Sequence, residues 1–288
     1  MELKRPILVT GHTGFLGSAV ARRFDETGRW WIGASRHTGV DLEESSSLDS
    51  FEAGQCVVHL AGRAAILESW QCPAAFHRTN ILCALTALEY ARRCQVGLIY
   101  VSSYMYGQPL TEPISEDHRL DMCNPYAWSK REGEVLAESY ARMFGIPVVL
   151  LRLFNVFGPN QPEHQLVPYV IQQALTGDTI FVADLVPRRD WLWAGDFATA
   201  VEAVVDRFPC GFSVYNLGTG VATSVLDVIN TVLSYLGPRK IVCRNEVRQN
   251  EIPQAISDNR RFVQTFGWQP STSVSEGIRR LIFEKERL

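Results

Sequence analysis

The chain has 288 residues, of which 46% are hydrophobic and 20% charged, and it carries a formal net charge of −3. This length suits one large α/β domain, or a large domain with a smaller one beside it. The weak negative charge offers no basic surface for nucleic acid, and no apolar run is long enough to cross a bilayer, so we expect a soluble protein that binds neither nucleic acid nor membrane.

The cysteines and histidines indicate neither a disulfide framework nor a metal centre. The seven cysteines are an odd number, widely spread and without a C-x-x-C pair, which is typical of reduced thiols. The six histidines lack metal-ligand spacing, so we predict no metal site. The opening residues, "MELKRP", lead into an apolar strand without a signal-peptide pattern, and the expected location is the cytoplasm.

Apolar, β-branched runs alternate with amphipathic stretches through the first half of the chain. In order, the strand-like runs are "PILVT" (6–10), "WWIGA" (30–34), "CVVHLA" (56–61), "GLIYVSS" (97–103) and "PVVLLRL" (147–153). Helical patterns lie near 15–27, 73–94 and 126–144. Because near-continuous apolar strands are those buried on both faces, this alternation predicts an α/β fold with a doubly wound parallel sheet.

The regularity weakens after about residue 155. The stretch "FGPNQPEHQLVP" (157–168) is rich in proline and turn-forming residues. We therefore expect a second, smaller region beside the sheet. A cleft between the two, at the carboxyl ends of the strands, is the expected ligand site.

A glycine-rich loop joins the first strand to the first helix. In "TGHTGFLGSAV" (10–20), Gly11, Gly14 and Gly17 are spaced by three. Glycines there permit a tight turn and a close approach of the backbone to a ligand, while the helix N-terminus presents free N–H groups to a phosphate. With a strand before it and a helix after it, the motif predicts dinucleotide binding rather than a plain loop.

A tyrosine and a lysine lie four positions apart in "NPYAWSKREGE" (124–134), at the start of the third helical pattern. Tyr126 and Lys130 share one helix face, and an ammonium beside a phenol lowers the pKa of the phenol, which suits proton transfer. The alternative is a solvated helix face, since one such spacing is expected by chance about one time in eight in a chain of this composition. The pair alone leaves both interpretations open.

Together these motifs resemble those of the extended short-chain dehydrogenase/reductases, in particular the NAD-dependent epimerase/dehydratase family. The likeness includes "DL" (41–42), "HLAG" (59–62) and "VSSYMYG" (101–107), and it spans essentially the whole chain. It implies a Rossmann domain over 1–155, rejoined by about 190–217, with a smaller substrate-binding region over 156–189 and 218–288. It also implies a homodimer built on the helices near 73–94 and 126–144. The first of these carries more apolar surface than one helix needs to bury against a sheet, namely Phe76, Leu82, Leu85 and Leu88.

The resemblance implies a set of cofactor-binding residues. They are Gly11, Thr13, Gly14, Phe15, Leu16, Gly17, Ser35, Arg36, Asp41, Leu42, Leu60, Ala61, Gly62, Tyr126, Lys130 and Phe154. The second strand ends "GASRH", with no acid to bond the ribose hydroxyls of NAD. Ser35 and Arg36 are placed to accept a 2′-phosphate, which favours NADP over NAD; the alternative is that Arg36 only stacks on adenine.

The resemblance also assigns the chemistry. Tyr126 is implied as the acid–base, Lys130 as the group that lowers its pKa and holds the nicotinamide ribose, and Ser102 as the hydroxyl that bonds the same substrate oxygen. Ser103 is the neighbouring hydroxyl: it is the alternative to Ser102 in this role and is otherwise implied to bind the substrate. The 4,6-dehydratases of the family carry Asp–Glu directly after that hydroxyl, and the 3,5-epimerising members use a cysteine nearby, whereas this chain has Ser103 and Tyr104. Both activities are therefore disfavoured.

The second half of the chain resembles the nucleotide-sugar epimerases in several short segments. The implied substrate residues are Asn155 for the phosphates, Leu166 beneath the base, Arg189 and Arg248 for the diphosphate, and Glu251 for the ribose hydroxyls. Two arginines suit a diphosphate because the guanidinium fork bonds phosphate oxygens in a bidentate manner. Without the resemblance, each arginine would be taken for a surface residue.

The expected activity is NAD(P)-dependent 4-epimerisation of a nucleotide-diphospho-sugar through a transient 4-keto sugar. A one-way NADPH-dependent 4-ketoreductase would use the same catalytic residues. Arg36 and the short segment between the second and third strands favour the reductase, whereas "YNLGTGVATSVLDV" (215–228) favours the epimerase. The intact set of Ser102, Tyr126 and Lys130 opposes a third interpretation, a non-catalytic regulator that senses NADP.

Overall fold

The computed structural model describes residues 5–246 and 251–285. Its strands, in chain order, are β1 (Ile7–Thr10), β2 (Trp31–Ala34), β3 (Cys56–His59), β4 (Gly97–Ser103), β5 (Val148–Leu153), β6 (Asn155–Phe157), β7 (Thr179–Val182), β8 (Arg188–Trp193), β9 (Phe212–Leu217), β10 (Ala222–Ser224), β11 (Lys240–Cys243) and β12 (Gln254–Ala255). Its α-helices are α1 (Phe15–Glu26), α2 (Ile66–Gln71), α3 (Pro73–Cys94), α4 (Pro125–Phe144), α5 (Leu166–Thr176), α6 (Ala194–Asp206), α7 (Val225–Leu236), α8 (Arg260–Phe266) and α9 (Val274–Lys285). Every strand and helix predicted in the first half is present within two residues of its expected bounds.

Six parallel strands form the central sheet, in the order β2-β1-β3-β4-β5-β9. The chain leaves β1 on one side for β2 and returns to the other side for β3, pairing both strands with β1 in parallel. At such a reversal the carboxyl ends of the strands open a crevice in which open α/β sheets bind ligands. The predicted α/β class with a doubly wound parallel sheet is therefore confirmed.

Two apolar layers hold helices on the two faces of this sheet. One layer joins it to α1, α6 and α8 through residues such as Phe24 and Phe197, and the other joins it to α3 and α4 through Leu88 and Ala137. Successive side chains of a strand point to opposite faces, so each central strand contributes to both layers. This burial on both faces is the reason why the strands read as nearly continuous apolar runs.

A second group of elements lies beyond the central sheet. Strand β8 pairs with β6, β10 and β12, and β7 pairs with β11. Helices α5, α7 and α9 enclose a third core with these strands, which includes Val170, Val228 and Ile278. Strand β9 rejoins the central sheet at its edge. The domain boundaries given above stay a prediction.

The ends of α4 follow from local sequence signals. The Asn124 side chain accepts a hydrogen bond from the Ala127 backbone nitrogen at 2.8 Å, and Pro125 occupies the first turn, where a missing N–H is tolerated. Gly145 ends the helix with a left-handed φ of 69°. These ends place Tyr126 in the first turn and Lys130 one turn later on the same face.

No helix within residues 5–246 and 251–285 is long and apolar enough to cross a membrane. The seven cysteines all lie in these ranges, and no two of them form a disulfide. Cys56 and Cys83 are buried, and burial raises the pKa of both thiols to about 12. These two thiols therefore stay protonated and pack as small apolar side chains.

Candidate active site

The loop between β1 and α1 leaves space where side chains would otherwise stand. Gly11 has a φ of +71°, and a Cβ there would lie 2.8 Å from the Ala61 backbone nitrogen. A Cβ at Gly17 would collide with the Gly11 carbonyl oxygen. Gly14 caps α1, so the unpaired N–H groups of the first turn lie beside this space. The loop therefore fits the pyrophosphate of a dinucleotide.

The end of β3 is fixed against this loop. The hydroxyl of Thr10 accepts hydrogen bonds from the backbone nitrogens of Leu60 at 3.2 Å and Ala61 at 3.3 Å, and it lies 2.9 Å from Nδ1 of His59. The Thr13 hydroxyl is exposed and lies 3.2 Å from Nδ1 of His37. The other predicted cofactor residues around this loop are wholly or partly buried, namely Phe15, Leu16, Ser35 and Leu42.

After β2, Arg36 is held by two carboxylates. Its Nε lies 3.1 Å from Asp41, and its guanidinium forms a second ion pair with Glu43. Glu43 also accepts a hydrogen bond from the Thr79 hydroxyl at 2.8 Å. Although burial acts to raise it, these hydrogen bonds hold the pKa of Glu43 below its ordinary value. A 2′-phosphate at this place would compete with both acids for Arg36. The sequence analysis missed Glu43, which lies in an irregular segment without any motif.

Asn80 joins the loop after β3 to the start of α4. Its Oδ1 accepts a hydrogen bond from the Arg63 backbone nitrogen at 2.7 Å and lies 2.7 Å from where a Cβ of Gly62 would stand. Its Nδ2 donates to the Ser129 hydroxyl at 2.7 Å, and that hydroxyl donates to the Tyr126 carbonyl oxygen at 2.8 Å. Asn80 thereby positions the first turn of α4. Sequence reasoning missed it because its partner lies 49 residues away.

The carboxyl end of β4 and the first turn of α4 bring Ser102, Ser103 and Tyr126 to one end of the sheet. Ser102 is buried, and within the part of the chain that the structure describes its hydroxyl has no hydrogen-bond partner. Burial raises the pKa of Tyr126, and a hydrogen bond with Ser103 acts in the opposite direction. A buried hydroxyl without a partner is costly, so the Ser102 oxygen retains hydrogen-bonding capacity that a ligand atom could satisfy.

Lys130 is buried behind this end of the helix, with 8% of its surface exposed. Burial lowers the pKa of its ammonium to about 8, against the opposing charge of Glu134. Its Nζ lies 5.0 Å from the centroid of the Tyr100 ring. The lysine is therefore enclosed rather than solvated, which removes the solvated-face interpretation of the Tyr–Lys spacing.

A buried polar network lies next to Lys130 and includes Glu134, whose charge favours the ammonium. Arg152 donates to the two carboxylate oxygens of Glu134 at 3.0 and 2.9 Å, and to the Tyr106 hydroxyl at 3.2 Å. Tyr106 in turn donates to Oδ1 of the buried Asn216 at 2.5 Å. The network joins α4 to β5 and β9. Two signals in the sequence could have revealed it: an arginine inside the apolar run 147–153, and a glutamate four positions after Lys130.

On the substrate side, β8 brings Arg189 to Glu251, and the two form an ion pair. The Tyr104 ring stacks on Phe154 with ring centroids 4.8 Å apart. Burial raises the pKa of the Tyr104 phenol, and the charge of Arg189 acts against that rise. One polar corner is thus formed by four residues: Arg189 on β8, Glu251 before β12, Tyr104 directly after β4 and Phe154 directly after β5. Of the residues predicted for the diphosphate and the ribose, Arg189 and Glu251 contact each other here.

The remaining predicted substrate residues are Asn155, Leu166 and Arg248. Asn155 begins β6, and its buried Oδ1 is without a hydrogen-bond partner among the described residues. Leu166 is the first residue of α5 and is half-buried. Arg248 lies outside the described residues, so its assignment to the diphosphate stays a prediction.

Comparison with known proteins places this geometry in a family. The sequence model described as "NAD dependent epimerase/dehydratase family" matches residues 7–218. The UDP-glucose 4-epimerase of Mycolicibacterium smegmatis is 26% identical over 309 residues, which cover 96% of this chain and 96% of that protein.

Solved structures agree in fold over nearly the whole chain. The UDP-glucose 4-epimerase of Thermotoga maritima with UDP-glucose has a TM-score of 0.91 and 25% identity, covering 98% of this chain and 100% of that one. RMD from Pseudomonas aeruginosa, complexed with NADPH, has a TM-score of 0.90 and 25% identity, covering 99% and 100%. The glycine loop and the parallel sheet agree with the family match. The chain therefore belongs to the NAD dependent epimerase/dehydratase family and is an NAD(P)-binding member of it.

Proposed function

We propose that the protein is a nucleotide-diphospho-sugar 4-epimerase that acts through a transient 4-keto sugar. The observation that carries this proposal is the buried hydroxyl of Ser102, which has no partner among the described residues and lies at the sheet end where the first turn of α4 carries Tyr126. A secondary alcohol of a sugar would complete the hydrogen bonding of this hydroxyl and present its own proton to the tyrosine.

In this mechanism Tyr126, Lys130 and Ser102 act together at the C4 hydroxyl of the sugar. When bound, the nicotinamide cofactor supplies the acceptor and donor of hydride for the sugar carbon. Tyr126 takes the proton of the C4 hydroxyl as that carbon is oxidised, and returns it when the ketone is reduced on its other face. The ammonium of Lys130 favours the phenolate, and Ser102 donates a hydrogen bond to the substrate oxygen.

The proposed substrate contacts lie in the polar corner formed by β8. Arg189 would exchange its ion pair with Glu251 for a diphosphate, which offers more acceptor oxygens and a greater negative charge. Glu251, once released, would accept hydrogen bonds from the ribose hydroxyls. Asn155 is predicted to bond the phosphates, but its unpaired buried atom is the amide oxygen, and phosphate oxygens only accept hydrogen bonds. A sugar hydroxyl would supply the donor that this oxygen needs.

A 4-ketoreductase is the second candidate, and the exposed side of Arg36 favours it. This guanidinium is 54% exposed after a strand that ends without an acid, as a 2′-phosphate site requires. Its ion pairs with Asp41 and Glu43 weigh against that role, because both acids would repel the phosphate. The preference for NADP over NAD therefore stays a prediction, as does the choice between reductase and epimerase.

The decisive experiment identifies the cofactor that is released from purified protein and then follows a set of nucleotide sugars by NMR. An epimerase holds NAD tightly and interconverts C4 epimers without net consumption of cofactor. A requirement for added NADPH, with one equivalent consumed per product, would replace the epimerase by the reductase. Calorimetric titration with UDP, GDP, dTDP and CDP tests the substrate class, and if none binds in the presence of NAD or NADP, the nucleotide-sugar proposal is wrong.

We also propose a homodimer formed by α3 and α4. Trp128, Val135 and Met143 are 49%, 49% and 67% exposed, and their spacing of seven and eight residues places them along one side of α4. Of the four apolar residues of α3 on which the dimer is predicted, Phe76 and Leu88 are fully buried in the monomer, whereas Leu82 and Leu85 are half-buried. The more exposed apolar stripe lies on α4.

A further inference from the structure

The ammonium of Lys130 lies over an aromatic ring that no motif includes. Its Nζ is 5.0 Å from the ring centroid of Tyr100, on β4, two residues before Ser102. Both side chains are buried, with 8% and 1% of their surface exposed. An ammonium within about 6 Å of a ring face is attracted by the negative charge of that face, and the attraction grows when water is excluded.

A glycine in α4 makes this arrangement possible. A Cβ at Gly133 would overlap the phenol oxygen of Tyr100 and would lie 2.7 Å from its Cζ. Glycine is unfavourable inside a helix, so its presence three residues after Lys130 requires a reason. The close approach of Tyr100 supplies that reason, and the ring is held in a notch of the same helix that carries the lysine.

Several other groups favour or oppose the protonated form of Lys130, and none of them holds the ammonium as the Tyr100 ring does. Glu134 favours the ammonium, but its carboxylate is shared with Arg152 at 2.9 Å. His59 stacks on Tyr100 with ring centroids 5.5 Å apart, and burial lowers its pKa to about 3, so it is neutral and does not repel the lysine. The titratable and charged groups that act on Lys130, on Tyr100 or on Glu134 come from β3, α3, β4, β5 and α4, namely His59, Cys83, Tyr100, Tyr126, Arg131, Glu132, Glu134 and Arg152.

We propose that Tyr100 is a positioning residue for Lys130, whose ring holds the ammonium in place beside Tyr126, and that Gly133 is the notch that admits the ring. The contact itself is independent of the reaction, whereas its consequence for turnover rests on the proposed function. Because burial depresses the pKa of Lys130 to about 8, attraction by the ring helps the lysine keep its proton at neutral pH.

The chain has four lysines, at positions 4, 130, 240 and 285, so the protonation of Lys130 can be observed directly. The protein is labelled with ¹³C-lysine, the Lys130 signal is assigned with Lys130→Met, and the signal is titrated by NMR without substrate. Tyr100→Leu should lower the titration midpoint of Lys130 by about 0.5–1.5 pH units. Tyr100→Phe keeps the ring and should leave the midpoint within about 0.2 units of the wild type, as expected when the ring and not the hydroxyl holds the charge.

Fluorinated phenylalanines at position 100 preserve the shape of the ring and reduce the negative charge on its face. They therefore test the same contact if Tyr100→Leu does not fold. The midpoint should fall stepwise with the number of fluorine atoms. An unchanged midpoint across this series, or an equal shift in Tyr100→Phe and Tyr100→Leu, would overturn the proposal.

Turnover gives a second and separate readout. The alkaline limb of kcat/KM should move to lower pH by the same amount as the NMR midpoint in each variant. If the midpoint moves while no nucleotide sugar is turned over by any form, the positioning role stands and the proposed function fails. If the midpoint is fixed while the wild type epimerises its substrate, the proposed function stands and the positioning role fails.

Discussion

At the scale of single residues, Tyr126 is the side chain on which the proposed chemistry depends most. Tyr126→Phe removes the proton carrier and keeps the ring, which contacts Phe76 edge-on at 6.4 Å. Turnover should fall by about 10²–10⁴, the usual contribution of a general acid–base group, while the Kd for cofactor stays nearly unchanged. Both are measured on the same preparation, by steady-state kinetics and by cofactor fluorescence.

Tyr140→Phe is the matched control for that variant. Tyr140 lies on the same helix, but its phenol bonds to Glu89 of α3 rather than to the site. This variant should retain wild-type turnover. Equal losses in the two variants would mean that removing a phenol from α4 disturbs the helix in general, and near-normal turnover in Tyr126→Phe would remove this residue from the mechanism.

Arg36 is the residue at which the choice between NAD and NADP can be tested. If its guanidinium binds a 2′-phosphate, Arg36→Ala should weaken NADP by about 10-fold to 100-fold, the effect of a lost charged hydrogen bond, and leave NAD unchanged. Glu43→Gln removes one of the acids that hold Arg36, and it should strengthen NADP relative to NAD. Dissociation constants of both cofactors for the three proteins test this, and parallel changes for NAD and NADP would show that Arg36 does not read the phosphate.

At the scale of elements, β8 directs two neighbouring arginines to different sides, because successive side chains of a strand point to opposite faces. Arg189 pairs with Glu251, whereas Arg188 donates to the Ala222 carbonyl oxygen at 3.0 Å on the other side. Arg189→Ala should raise KM for a nucleotide sugar by about 10-fold or more and lower kcat much less, because the diphosphate is remote from the reacting carbon and is bound alike in ground and transition states. Arg188→Ala should leave both constants unchanged.

The double variant of Arg189→Ala with Glu251→Gln makes this test specific. Removing Arg189 alone leaves the Glu251 carboxylate without its cation beside a negatively charged substrate, which would raise KM by repulsion. If the double variant recovers the wild-type KM, the effect came from Glu251, and Arg189 does not bind the diphosphate.

The elements that the sequence predicted well are those whose signals are local. The ends of α4 follow from Asn124 and Gly145, and the glycine loop lies between a strand and a helix that are both evident from periodicity. The pairings that shape the site are not local. Asn80 bonds to Ser129 across 49 residues, and the two acids that hold Arg36 lie in a segment without regular structure. No periodic pattern encodes such contacts, because they form only when the sheet brings distant segments together.

At the scale of the whole molecule, the apolar stripe of α4 predicts how two copies associate. A stripe on a helix that already packs against α3 is not needed for the monomer core, and a twofold axis beside it would bury it in both copies at once. Light scattering should therefore give twice the chain mass of 32.4 kDa at micromolar concentration.

Val135→Glu places a charge in the middle of that stripe, and in the proposed dimer each copy would bury this charge against its mate. Burying an unpaired charge is costly, so the variant should be monomeric at concentrations at which the wild type is dimeric. Leu110→Glu is the control, since Leu110 is more exposed than Val135 but lies in the loop between β4 and α4 and not on the α4 stripe. If the wild type scatters as a monomer, or if both variants dissociate equally, the α4 stripe is not the interface. Because Tyr126 and Lys130 lie on the inner side of the same helix, a monomeric Val135→Glu protein that keeps full turnover would also show that the active site is complete within one chain.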